Sequence, residues 1–137
     1  MNASNREMLR SWIIKEEGFR DKPYQCSEGV WTFGHGLTSI TEQESLTLVG
    51  NRLADLEQRV KTHLRLNDIS LDEFRICILI DMAYQLGVNG LRKFAKMFNA
   101  LKDYDYELAA DEMLNSKWHK QTPVRCELLA KRMRKGF

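Results

Sequence analysis

From Thr41 onward, apolar residues return at alternating steps of three and four: Leu46, Val49, Leu53, Leu56, Val60 and Leu64. That is the period of one helix face, so the stretch predicts one long amphipathic helix, broken at Asn67-Asp68. A different pattern starts at Ser70. There Phe74, Ile76, Cys77, Ile78, Leu79, Ile80, Met82, Ala83 and Leu86 cover nearly every direction, which predicts a central bundle helix buried all round and closed by Gly87. Shorter helices are expected near 91–101, 105–115 and 124–135, the last just after Pro123. Earlier in the chain, Met8, Leu9, Trp12 and Ile13 share one face of a helix from about Asn5 to Glu17 that stops at Gly18.

Residues 19–36 lose the helical period. Pro23 forbids continued helix, Ser27-Glu28-Gly29 makes a turn, and Val30, Trp31, Thr32 and Phe33 are strand formers, so a short hairpin is expected with strands near 23–26 and 30–34. Gly34 and Gly36 flank His35 and allow unusual dihedrals where the second strand ends. Three capping boxes mark helix starts: Ser4 with Glu7, Thr41 with Glu44, and Ser70 with Glu73. Together these elements predict an α+β, mainly α fold.

The 137 residues fit one domain, and no Pro, Gly or Ser cluster marks a linker. A formal charge of +2 is too small to argue for nucleic acid. The run Lys131, Arg132, Arg134 and Lys135 is locally basic and reads first as a solvated helix face. Three scattered cysteines give neither a disulfide framework nor a metal-binding pattern, which fits synthesis in a reducing cytoplasm. Trp12, Ile13 and Ile14 are too short a run for a signal peptide, and no stretch approaches the roughly 20 apolar residues of a membrane span, so neither export signal nor stable insertion is expected. His35, His63 and His119 lie far apart and match no H-E-x-x-H pattern, so neither metal nor other cofactor is expected. Cys77 and Cys126 fall on helical segments and read as packing residues.

Candidate chemistry sits at the seam of the first helix and the hairpin, where Glu17, Cys26 and Thr32 place an acid, a thiol and a hydroxyl at the spacing E-x8-C-x5-T. Glu17 follows Leu9 and Ile13 at the edge of the apolar face, where partial desolvation raises a carboxyl pKa. With Gly18, Tyr24 and the stretch Trp31-Thr32-Phe33-Gly34, this segment resembles the active site of the T-even phage lysozymes, muramidases of glycoside hydrolase family 24. The likeness extends along the chain through Asp81-Met82-Ala83-Tyr84-Gln85-Leu86-Gly87, Asn115-Ser116-Lys117-Trp118, Gln121-Thr122-Pro123 and Arg125.

The resemblance implies a lysozyme-like fold: a first helix over residues 1–18 that packs on the helical lobe, a small β lobe over 19–45, a linking helix over 46–66 and a helical lobe over 67–137. It makes Glu17 the catalytic acid, Thr32 the holder of the reacting water and Cys26 the occupant of a position that is usually Asp. Arg125 matches the arginine that braces the acid's helix; Glu28, Gly36, Tyr84, Gln85 and Lys117 match positions that bind the sugar or the peptide stem. Leu37 stands where many members have His, and the stretch from Gly36 to Thr41 is short, so the β lobe should be smaller. The implied substrate is the glycan strand of peptidoglycan, cut at the β-1,4 bond between N-acetylmuramic acid and N-acetylglucosamine. The implied setting is an endolysin, monomeric, made in the host cytoplasm and released to the wall with a holin-type partner.

Such cleavage needs a proton for the leaving oxygen and electron density for an oxocarbenium-like centre, normally from two carboxyl groups. Cys26 can supply the second only as a thiolate. The expected mechanism is inverting hydrolysis. Two alternatives stay open: a lytic transglycosylase working with Glu17 alone, and an inactive module that binds the wall.

Overall fold

The computed structural model describes residues 1–136 and divides the chain into two compact units, Met1–Thr47 and the stretch from Leu48 onward. The fold is α+β and mainly α, with one two-stranded sheet among the described residues.

In the first unit, helix α1 (Ala3–Glu17) opens on Asn2, whose side chain accepts from the Asn5 N–H at 2.8 Å. The Ser4–Glu7 box therefore does not form. Ser4 is already inside the first turn, because Asn caps as well as Ser and comes two residues earlier. Gly18 ends the helix at φ +68°, with its N–H returning to the Ile14 carbonyl. Strand β1 (Arg20–Gln25) then pairs antiparallel with β2 (Trp31–Gly34), setting Tyr24 opposite Thr32 and Gln25 opposite Trp31. The first strand starts at Arg20, earlier than the expected 23, and the pairing is irregular between Arg20 and Tyr24, where Pro23 has no N–H for the ladder.

Helix α2 (Glu42–Leu66) opens on the expected box. The Glu44 N–H donates to the Thr41 hydroxyl at 3.1 Å, and the Thr41 N–H donates to the Glu44 carboxylate at 3.0 Å. The third box fails, because helix α3 (Glu73–Arg92) is capped by Asp72, which accepts from the Arg75 N–H. The helix thus starts beyond Ser70. Gly87, at φ +75°, interrupts α3 where closure was expected, and one further turn follows. The remaining helices are α4 (Ala95–Lys102), α5 (Tyr106–Leu114), α6 (Lys117–Gln121) and α7 (Pro123–Lys135). The short α6, not foreseen from the pattern, is capped by the Ser116 hydroxyl, which accepts from the His119 N–H.

The core of the second unit is rich in methionine: Leu79, Met82, Met97, Leu101, Met113 and Met133 are fully buried. Of the predicted α2 stripe, Leu56, Val60 and Leu64 are buried, whereas Leu46 is 59% exposed. Nor is α3 buried all round. Ile78, Leu79, Met82 and Ala83 are buried, but Cys77 is exposed, and with Ile76 and Ile80 it lines an apolar groove of about 640 Å³ beside Val49 and Leu53. One deeply buried charge ties the unit together. The Arg75 guanidinium stacks over Tyr106 at 3.5 Å and donates to the Met133 carbonyl at 2.7 Å, so the start of α3 holds the end of α7. Among the described residues no helix is long and apolar enough to cross a membrane.

Candidate active site

The first unit carries all three candidate catalytic residues, each placed by local backbone geometry. Glu17 is the last residue of α1 and lies directly before Gly18, whose left-handed φ turns the chain into β1. The partial desolvation expected for Glu17 is not seen. It is exposed and no α1 residue is buried, because the helix face finds no apolar cover within this unit. What does meet the carboxyl is Gly36. After β2 the chain doubles back through Gly34 (φ +59°) and Gly36 (φ +72°), and Phe33 and Leu37 exchange both backbone hydrogen bonds at 2.9 Å. That turn brings the Gly36 backbone so close to Glu17 that a Cβ there would overlap its carboxyl group. The Gly36 backbone is therefore placed against the acid.

Cys26 follows β1 at the head of the hairpin turn. Its carbonyl accepts from the Gly29 N–H at 2.9 Å and its N–H donates to the Val30 carbonyl at 2.9 Å, so the loop folds back over the thiol. The backbone N–H of Glu28 and then that of Val30 hold the thiol below its ordinary range, against an opposing effect of burial. Thr32 is buried at the centre of β2, and its hydroxyl donates to the Val30 carbonyl at 3.1 Å, which leaves its lone pairs to accept from a water. Cys26 and Thr32 are thus neighbours, and Glu28 contributes to the pair through its backbone. The other two thiols differ. Cys126 is buried, donates to the Met113 carbonyl and is pushed up to about 11 by burial, whereas Cys77 is exposed and is not the packing residue expected.

The second unit holds the remaining candidates. Arg125 forks onto one Asp81 oxygen through Nε, at 2.9 Å, and Nη2. Gln85 bridges two partners: its carbonyl accepts from the Trp118 indole N–H at 2.9 Å and its amide donates to the Thr122 hydroxyl at 3.2 Å. Both polar ends of Gln85 thus fix Trp118 and the segment before α7. Tyr84 is exposed on α3. Lys117 lines a groove of about 510 Å³ floored by Phe94, Met97 and Trp118, with Lys93 and Lys96 also on its lining. The sequence reading missed Lys93, Lys96, Asp81's pairing and the wall made by Gly36. Only the shared signature around Asp81 signalled any of them in advance.

A model of the phage lysozyme family matches residues 14–135. The chain belongs to that family. It is 31% identical, over 90% of its length, to the pre-baseplate central spike protein Gp5 of Enterobacteria phage T4, of which it covers 26%. It is 30% identical, over 93% of its length, to the peptidoglycan hydrolase gp36 of Pseudomonas phage phiKMV, covering 15% of that protein. To probable T4-type lysozyme 1 of Dictyostelium discoideum it is 33% identical over 63% of this chain and 52% of the relative. The chain therefore spans about half or less of these relatives' own length.

Proposed function

We propose that the chain is a peptidoglycan hydrolase, and more finely an inverting N-acetylmuramidase that cuts the β-1,4 bond between N-acetylmuramic acid and N-acetylglucosamine. Membership of the phage lysozyme family and the hydrolase name of a relative support the coarse reading. The finer one rests on a single observation: the Gly36 backbone lies against the Glu17 carboxyl, in the same unit as the Cys26 turn and the buried Thr32.

In this reading Glu17 gives its proton to the glycosidic oxygen as the bond from the sugar C1 to that oxygen breaks. Thr32 accepts a hydrogen bond from a water. The Cys26 thiolate takes that water's other hydrogen as a proton while the oxygen attacks C1 from the opposite face and keeps the hydrogen bonded to Thr32, so the product is one water heavier and inverted at C1. The resemblance gives substrate-binding roles to Glu28, Gly36, Tyr84, Gln85 and Lys117 and a supporting role to Arg125. The chain would act as a monomer on glycan strands, without cofactor or nucleic acid, made in a host cytoplasm and admitted to the wall by a holin-type partner.

The test is Glu17→Gln in a turbidity assay on permeabilised cells. An amide has no proton to give, so lysis should fall on the order of 10²–10⁴-fold while the circular dichroism spectrum is kept. Lysis at the wild-type rate would remove Glu17 from the mechanism. Because Cys26 leaves Glu17 as the lone carboxylate of the trio, a second reading is lytic transglycosylation. Mass spectrometry of the muropeptides separates the two: free reducing ends support hydrolysis, and anhydro ends replace it.

A further inference from the structure

Neither Phe19 nor His35 takes part in the proton transfers, yet their rings meet beside the acid. The ring centroids lie 5.4 Å apart at an interplanar angle of 43°, within the range where aromatic pairs attract. Phe19 is 66% exposed, so its side chain gains this ring contact and no place in a core. The pair forms the middle of three successive meetings between the same two stretches of backbone. Arg20 stands opposite Gly34 in the sheet, Phe19 meets His35, and Gly36 closes on the Glu17 carboxyl. The first meeting is poorly backed, because the strand pairing is irregular between Arg20 and Tyr24, and His35 rides a turn whose flanking glycines both have positive φ. No ion pair among the described residues engages Glu17 or His35. The recess that His35 shares with α1 is lined by Arg6, Leu9, Arg10, Ile13 and Ile14, without a carboxylate, so the imidazole is seated by its ring and not by charge.

We propose that the Phe19–His35 ring pair is a latch that holds the Gly36 turn against Glu17 and so aims the acid at the glycosidic oxygen. Both are positioning residues for the hydrolysis, and the inference rests on the peptidoglycan-hydrolase reading above. Glu17 ends its helix and is exposed, so its side-chain rotamers are limited chiefly by what the following turns bring against it. Gly36 removes the rotamers that its backbone overlaps, and it does so only while the turn stays down. A catalytic group misplaced by about 1 Å loses on the order of a hundredfold in rate, so a contact that shifts the population of the closed turn several-fold is visible in kcat. The latch depends on a flat ring at position 35 and not on the charge of that ring.

The experiment measures kcat and KM on a soluble glycan fragment of peptidoglycan for Phe19→Ala, His35→Ala, the double variant and His35→Tyr. His35→Ala should lower kcat by about threefold to tenfold and leave KM within about twofold, because the acid is misaimed while sugar binding is kept. Phe19→Ala should do the same. The double variant should lose no more than either single change, as expected when one contact is removed twice. His35→Tyr should keep kcat within about twofold and keep the shape of the pH–rate profile. Wild-type kcat in His35→Ala, losses that multiply in the double variant, or a His35→Tyr as slow as His35→Ala would each overturn the proposal while leaving hydrolysis intact. Should the wild type cut nothing, the hydrolase reading fails instead. The latch is then judged by NMR, where the cross-peak between the Gly36 α-protons and the Glu17 γ-protons should weaken in His35→Ala and Phe19→Ala and persist in His35→Tyr. A cross-peak unchanged by the alanine variants also overturns it.

Discussion

Cys26 is where the chemistry of a single residue decides most. A thiol does the work of a carboxylate only when ionised, and the backbone N–H groups of Glu28 and Val30 favour the thiolate. The sign follows directly. Lowering the pKa raises the thiolate fraction at neutral pH, so the limb of the pH–rate profile that reports this thiol should lie below the range of an ordinary thiol. Cys26→Asp should keep activity and extend it to lower pH, since a carboxylate ionises near pH 4. Cys26→Ser should lose most of it. A pH–rate profile for the three proteins checks this. Full activity with an unchanged profile in Cys26→Ser would reduce Cys26 to packing. Alkylation distinguishes the thiols too, because the buried Cys126, pushed up to about 11, should resist a reagent that reaches Cys26 and Cys77.

At the scale of elements, the boundaries come from caps and the closure of the second unit comes from one side chain. Arg75 sits in the first turn of α3, is 8% exposed, pairs with Asp72 at 2.9 Å and reaches across 58 positions of sequence to the last carbonyls of α7. Removing it strands a buried carbonyl and uncovers the face of Tyr106. Arg75→Ala should therefore cost about 2–4 kcal/mol, read as a fall in the urea midpoint at constant slope. Arg75→Lys should recover less than half, because an ammonium cannot both stack flat on the ring and donate in a fork. A loss under about 0.5 kcal/mol for Arg75→Ala would mean that α7 is held by its apolar face alone. The caps explain why two of three predicted boxes failed. Asn2 and Asp72 lie nearer the true starts than Ser4 and Ser70, and a helix accepts the first competent oxygen at its end.

Across the whole molecule, burial is distributed unevenly. The buried apolar residues run from Leu56 to Met133, all in the second unit, whereas Thr32 is the single buried residue among those described in Met1–Thr47. Native-state hydrogen exchange should thus find the slowest amides in α3, α5 and α7. Those of β1 and β2 should open locally and exchange at least about tenfold faster. Equal protection in both units would contradict this. The same unevenness separates what could be read in the sequence from what could not. Helix periods, Gly18 as a stop, Gly87 as a break, the Thr41–Glu44 box and the turn after Cys26 were legible, because each is set by sterics and hydrogen bonds within a few residues. Whether an apolar face is covered was not legible: Leu46 and Cys77 fit their stripes as well as Leu56 and Leu79, yet stay exposed. The seat of Glu17 against Gly36, the Arg75 clasp and the convergence of Lys93 and Lys96 with Lys117 likewise arose only on folding. Periodicity fixes the direction a side chain takes from its own helix, but what it meets there depends on which distant segment arrives, and that is decided by packing the whole chain.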